Sequence, residues 1–252
     1  MNTEAYLRRI NYNGPLVQSP ETLRALHLAH LQAVPFENLD IHIGRKIVLD
    51  EEKVIRKIVD ERRGGFCYEL NGAFATLLRA LGFQVSMLSA GVARAEGGFD
   101  PPFDHMALVV QLEERWLADV GFGDSFREPL LLDARGEQVQ SDDDAYRLVE
   151  EGEQLVFERR ESEVWKPQYR FTLQPYQYSD FADMCHYHQT SPDSPFTKRR
   201  TCTLATPEGR ITVTGMRLIT TNHGERLERE LASHGEWVAT LREHFGIELN
   251  KS

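Results

Sequence analysis

The segment Arg63-Gly64-Gly65-Phe66-Cys67-Tyr68-Glu69-Leu70-Asn71 places two glycines and then a cysteine at the mouth of a predicted helix. The glycines permit a tight backbone turn. From about Tyr68 to Leu81 the residues Ala73, Phe74, Leu77, Leu78 and Leu81 recur on one stripe, and Gly82 supplies the stop. A helix start carries unpaired N–H groups and the positive end of the helix dipole. A sulfur held there is stabilised as thiolate, so the Cys67 thiol is predicted to fall below the ordinary value of about 8.5, with Arg63 adding positive charge. Such a thiolate suits covalent catalysis. Free cysteines also serve as small buried core residues, and placement alone leaves both roles open.

A nucleophilic cysteine requires a base, and the base requires an orienting group. Among nine histidines, His105 stands where Phe103-Asp104-His105 enters the apolar run Met106 to Leu112. The next apolar run, Trp116-Leu117-Ala118-Asp119-Val120, contains an aspartate whose burial is costly unless it is paired. A hairpin brings Asp119 back to the end where His105 lies. A turn centred on Leu112 sets the two opposite each other. A two-residue Glu113-Glu114 turn pairs His105 with Phe122 and sends Asp119 to the other face, unless a longer loop or a bulge restores it. The register stays open.

Further from this centre, the 252 residues carry 29 Lys+Arg and 39 Asp+Glu, a formal net charge of −10, with 41% hydrophobic and 27% charged residues. This balance suits a folded chain rather than a disordered one. It argues against nucleic acid as a partner, since a phosphate backbone calls for a basic surface. No run approaches a membrane span, and Met1 to Ile10 lack the basic-then-apolar pattern of a secretion signal. Three cysteines, Cys67, Cys185 and Cys202, build no disulfide framework, so a cytoplasmic location is expected. With no Cys-x-x-Cys pair and only His186-x-His188 as a cluster, no metal is expected.

The pattern changes twice along the chain. Residues 1–82 read as helical, with Ser19-Pro20 opening one helix and Asp50 capping Glu51 to Asp60. From Phe83 to Leu173 the period shifts towards two, with strands at Val85 to Leu88, Met106 to Leu112, Trp116 to Val120, Gln154 to Arg159 and Val164 to Leu173, and turns at Glu96-Gly97-Gly98 and Asp142-Asp143-Asp144. Tyr176 to Pro195 reads as a polar loop. Strands Thr201 to Ala205 and Arg210 to Thr214 follow, then a helix from about Glu225 to Phe245 that breaks near Gly235. Helices, then strands, then a mixed piece make an α+β protein with a barrel-like or sandwich-like middle. The expected divisions are 1–82, 83–190 and 191–252.

The chain resembles the arylamine N-acetyltransferases. Arg63 to Asn71 is similar to that family's nucleophile motif, Asp119-Val120-Gly121-Phe122-Gly123 to its aspartate motif, and Asp104-His105-Met106 stands at its histidine. Val34-Pro35-Phe36-Glu37-Asn38-Leu39 is similar to an early substrate-side motif, and Thr190-Ser191-Pro192-Asp193-Ser194-Pro195-Phe196 to a later one. Asp104 departs from the small or hydroxylated residue often found before the histidine.

The resemblance implies an N-terminal helical bundle, a central antiparallel β-barrel and a small C-terminal α/β lid around a cysteine-protease-like core. It implies an acetyltransferase with Cys67, His105 and Asp119 as its triad and acetyl coenzyme A as cosubstrate, with no permanently bound cofactor. The acetyl group passes through a cysteine thioester to the nitrogen or oxygen of an arylamine, hydrazine or arylhydroxylamine. Under the same resemblance Phe36 and Phe122 line an apolar substrate pocket, and Gly121 and Gly123 let the backbone approach the pantetheine arm. The run Lys198-Arg199-Arg200 reads as a solvated loop near which phosphates can sit. The Cys…His…Asp order is shared with papain-like proteases, transglutaminases and amide-forming acyltransferases of natural-product assembly. A non-catalytic binding protein is the remaining alternative, and three intact residues argue against it.

Overall fold

Local caps start the helices where the sequence places them. In the computed structural model, which describes residues 2–140 and 144–249, the first region holds α1 (Thr3–Arg9), α2 (Pro20–Ala33), α3 (Leu39–His42), α4 (Glu51–Val59) and α5 (Cys67–Ala80). Ser19 Oγ accepts the Thr22 N–H at the head of α2, and Asp50 Oδ1 accepts the Lys53 N–H at the head of α4. The last of these helices begins at Cys67 itself, one residue earlier than predicted. There the Glu69 carboxylate reaches back to the Phe66 N–H at 3.2 Å, half of a capping box.

Behind that helix start lies a group of buried charges. Lys57 Nζ sits 2.8 Å from Asp40 Oδ2 and 2.7 Å from Glu69 Oε1, and Arg63 Nη2 sits 2.7 Å from Glu37 Oε1 and 2.8 Å from Asp40 Oδ1. None of the five side chains is more than 5% exposed. Burial of this kind is tolerated only because each charge has opposite partners. Arg63 is therefore engaged by Glu37 and Asp40, which corrects the expectation that its charge serves the sulfur.

The middle of the chain forms one antiparallel sheet. Its strands are β2 (Gln84–Val92), β3 (His105–Gln111), β4 (Arg115–Ala118), β5 (Leu130–Leu131), β6 (Gln138–Val139), β7 (Ala145–Glu151), β8 (Gln154–Glu161) and β9 (Val164–Tyr176). They lie in the order β5-β4-β3-β2-β9-β8-β7-β6 and curl into a nearly closed barrel. Side chains join its two edge strands: the Gln138 carboxamide accepts the Leu131 N–H at 2.8 Å and donates to the Leu131 carbonyl at 3.0 Å. Gln140 repeats the device on Arg127 and Glu128. The period-two signal sorts the two faces. Met87, Met106, Leu108, Trp116 and Ala118 pack against the helices, whereas Leu88, Ala90, Ala107 and Leu117 face a barrel interior filled by Phe157, Tyr169 and Phe171. The predicted turn residues Asp142 and Asp143 lie outside the described residues.

Two expectations fail in the last third. Tyr176 to Pro195 is not a loop, because a short 3₁₀ turn (Tyr178–Phe181) leads into α6 (Ala182–Thr190). Its outer surface is polar, which reads as loop in the sequence, while Phe181, Cys185 and His188 face inwards. After α7 (Pro195–Lys198), β10 (Thr201–Thr206) and β11 (Gly209–Thr214) follow as expected, but β12 (Arg217–Asn222) and β13 (Glu225–Glu230) replace the first part of the predicted last helix. Only α8 (His234–Phe245), capped by Ser233, is helical. The sheet order is β1-β10-β11-β12-β13, with β1 (Phe36–Glu37) supplied by the helical region. Trp237, Leu241 and Phe245 cover this sheet on Ile211, Val213 and Leu218. No helix among the described residues is long and apolar enough to cross a membrane.

On the buried face of α2, His27 links the helices to the barrel. Its Nδ1–H donates to the Arg127 carbonyl at 2.8 Å, and its Nε2 accepts the Asp119 N–H at 3.1 Å. Burial lowers its pKa from 6.5 to about 4. Unfolded chains therefore bind a proton on acidification before folded ones do, and stability falls as the pH drops from 6.5 towards 4, by roughly 3 kcal/mol for this residue. Urea unfolding at pH 7 and pH 4.5 should show a drop that is about 2–3 kcal/mol smaller in His27→Gln than in the parent; equal drops would refute the assignment. A second test concerns the buried charges: Lys57→Met leaves Glu69 without its cation while Asp40 keeps Arg63, and should lower the unfolding free energy by about 3–5 kcal/mol in the same assay at pH 7.

Candidate active site

The approach to Cys67 is built by close backbone contact. Gly64 lies so near Pro35 that a Cβ there would sit 1.8 Å from the Pro35 carbonyl oxygen. The Gly65 carbonyl accepts the Glu37 N–H at 2.8 Å. The glycine pair thus runs beside Pro35-Phe36-Glu37 and brings the early motif alongside the helix start.

Cys67 is buried at 3% exposure as the first residue of α5. Burial pushes its thiol well above the ordinary value, the Asp104 carboxylate adds to this, and a hydrogen bond from the Met106 backbone opposes it. The expected lowering by the helix terminus is therefore outweighed by desolvation, and the thiol is the resting form unless a nearby base takes its proton. Gly121 closes over the same point, since a Cβ there would meet Cys67 Cα at 2.8 Å and Asn71 Nδ2 at 2.7 Å.

The hairpin takes neither the Leu112-centred register nor the two-residue turn, but the longer loop that restores Asp119 to the face of His105. Gln111 pairs with Arg115, Val110 with Trp116, Val109 with Leu117 and Leu108 with Ala118, so the turn is the three-residue Leu112-Glu113-Glu114. Odd-numbered residues then face odd-numbered ones, which keeps His105 and Asp119 on one side of the sheet, diagonal rather than opposite. Pairing stops at Ala118, and Asp119 begins the following loop. His105 Nε2 lies 2.7 Å from Asp119 Oδ2. The other oxygen, Oδ1, accepts Asn71 Nδ2–H at 2.8 Å and the Gly121 N–H at 2.9 Å. Burial tends to raise the Asp119 pKa, but His105, Asn71 and Gly121 together hold it below its ordinary value. An ionised Asp119 fixes neutral His105 as the Nε2–H tautomer and leaves Nδ1 as its proton acceptor.

Cys67 and His105 share the wall of a cavity of about 560 Å³, and Asp119 stands behind His105. Phe36, Gly121 and Phe122 also line this cavity, and the Phe122 ring meets the His105 ring edge-on at 5.2 Å. Gly123 packs against the Phe36 ring instead, and its carbonyl accepts a hydrogen bond from Arg210. His188 lies 3.1 Å from Asp104 and 3.2 Å from the buried Ser194 Oγ, and His188 and Asp104 both line the pocket. In the basic run, Lys198 Nζ donates to the Asp193 carbonyl and the Arg200 guanidinium lies 3.8 Å over the Trp237 ring, so Arg199 is its freest member. Among the described residues no cluster of metal-ligating side chains is present. Two contributors had no role assigned from sequence. Asn71 stands four residues after Cys67, on the same helix face, and His27 is a polar residue on the buried stripe of a predicted helix.

Comparison with known proteins agrees with this architecture. A family model described as N-acetyltransferase matches residues 19–252. The arylamine N-acetyltransferase of Escherichia coli (strain K12) is 36% identical over 246 residues, covering 96% of this chain and 87% of that protein. The solved arylamine N-acetyltransferase from Salmonella typhimurium superposes with a TM-score of 0.93 at 34% identity, covering 99% of this chain and 92% of the other. The Mycobacterium marinum arylamine N-acetyltransferase, solved in complex with CoA, superposes with a TM-score of 0.91 at 31% identity, covering 98% and 93%. The chain belongs to the arylamine N-acetyltransferase family and is an acetyltransferase.

Proposed function

We propose that the protein transfers an acetyl group from acetyl coenzyme A to an arylamine, hydrazine or arylhydroxylamine through a thioester on Cys67, with His105 and Asp119 completing the triad. The observation that carries this reading is the buried line from Asp119 Oδ2 to His105 Nε2, 2.7 Å long, ending at the cavity wall that also holds Cys67. His105 Nδ1 takes the thiol proton, and the sulfur attacks the thioester carbonyl. The tetrahedral intermediate collapses, coenzyme A leaves as its thiol with that proton, and acetyl-Cys67 remains. The acceptor nitrogen then attacks acetyl-Cys67, His105 takes the amine proton, and the cysteine sulfur is released. Asp119 keeps the imidazole in one tautomer and balances its positive charge in both halves.

The raised resting thiol fits this scheme. Proton transfer to His105 creates an ion pair beside a helix N-terminus, so charge develops where dipoles already point. The Met106 N–H that meets the sulfur supplies a further fixed dipole. Phe36 and Phe122 give the pocket flat apolar walls suited to an aromatic acceptor. Gly121, whose missing side chain lets its backbone lie against the start of α5, presents main chain to the pantetheine arm at the cavity wall, and Gly123 extends the same loop.

Brief exposure to acetyl coenzyme A, followed by digestion and mass spectrometry, should place one acetyl group on the Cys67 peptide. Label on Cys185 or Cys202 with none on Cys67 would overturn the proposal, and Cys67→Ala should abolish turnover while unfolding like the parent. Asp119→Asn should lower kcat/KM by roughly three to four orders of magnitude, because an amide in this position favours the wrong imidazole tautomer. A loss below tenfold in steady-state assays would remove Asp119 from the mechanism.

A further inference from the structure

Asp104 stands immediately before His105 and is placed by main-chain bonds: its carbonyl accepts the Tyr68 hydroxyl at 3.0 Å, and its N–H donates to the Pro101 carbonyl at 3.3 Å. The side chain lines the same cavity as Cys67 and keeps 14% of its area open. One oxygen, Oδ1, faces His188 Nε2 at 3.1 Å. The other charged groups on this wall do not supply an excess of positive charge. Arg94 is paired with Asp100 at 2.6 Å, and Asp193 adds a third carboxylate. His105 is turned towards Asp119, and the Tyr187 hydroxyl and the Cys67 thiol are the other titratable groups on this wall. The carboxylate of Asp104 is felt at the sulfur more strongly than that of Asp119. A molecule that reaches Cys67 through this cavity therefore meets negative charge close to the reacting atom.

We propose that Asp104 is a specificity-determining residue: its carboxylate on the cavity wall beside Cys67 favours acceptor amines that carry a positive charge and disfavours those that carry a carboxylate. This inference rests on the acetyl-Cys67 reading above. It concerns the second half of the reaction, where the donor's phosphates have already departed and only the acceptor's charge matters. A cationic group on the ring gains attraction across a partly desolvated pocket, and an anionic one is repelled by the same field.

The test uses the full-length enzyme acetylated with p-nitrophenyl acetate, an uncharged donor. Deacylation is followed in single turnover with two acceptors of matched size, (4-aminobenzyl)trimethylammonium and 4-aminophenylacetate. The readout is the ratio of their rate constants, so that any effect of the substitution on sulfur reactivity cancels. In Asp104→Asn the cation-to-anion ratio should fall about tenfold from the parent value, and Asp104→Ser, which needs no amide in the space, should give the same fall. A ratio unchanged within twofold in the variant that folds would overturn the proposal while leaving acetyl-Cys67 intact. Failure to find acetyl on Cys67 in the parent would overturn both readings.

Discussion

A buried carboxylate holds the separate parts of this protein in one arrangement. Asp119 receives hydrogen bonds from His105 on β3, from Asn71 on α5 and from the Gly121 N–H, and its own N–H is received by His27 on α2. An ion with no access to water is unfavourable unless its lone pairs are met by donors, and charge-assisted bonds meet them more strongly than neutral ones. That requirement couples helix positions to barrel positions. If α5 shifted along the sheet, Oδ1 would lose Asn71 and keep only the Gly121 N–H, and the penalty would oppose the shift. The same residues that place the imidazole therefore fix the docking of the helical region on the barrel.

The second buried charge group acts one layer further back. Glu37, Asp40, Lys57, Arg63 and Glu69 join β1, α3, α4 and the start of α5. Ion pairs out of water contribute little net stability compared with apolar packing, but they tolerate few alternative arrangements. Their effect here is positional. Glu69 also holds the Phe66 N–H, so the network ends at the residue before the cysteine. Burial raises the Cys67 thiol, and the backbone hydrogen bond from Met106, held in place by this framework, works against that rise.

Legibility in the sequence followed the range of the forces involved. The starts of α2 and α4 could be read because Ser19 and Asp50 cap locally. The strands β2, β3, β8 and β9 could be read because alternation is itself a local signal. Glu225 to Glu230 could not be read, since Glu and Arg are good helix formers and only the ladder with β12 makes the segment extended. The 182–190 helix was hidden by its polar outer surface. The hairpin register depended on a third turn residue, which composition does not distinguish from two. The glycine-glycine-phenylalanine-cysteine motif marks the cavity wall in the sequence, but the direction of the thiol's shift is not legible there, because a helix dipole is visible in a sequence and the depth of burial is not. His27 was missed for the same reason: its partners lie 92 and 100 residues away.

The seam of the barrel has its own implication. Strands β5 and β6 meet through the carboxamides of Gln138 and Gln140 rather than through paired backbones. A closure made this way has no register to slip, because an amide on a side chain can follow its partner as that partner shifts. At one point the line is anchored: Arg127, held by Gln140, offers its carbonyl to His27, whose other nitrogen accepts the Asp119 N–H.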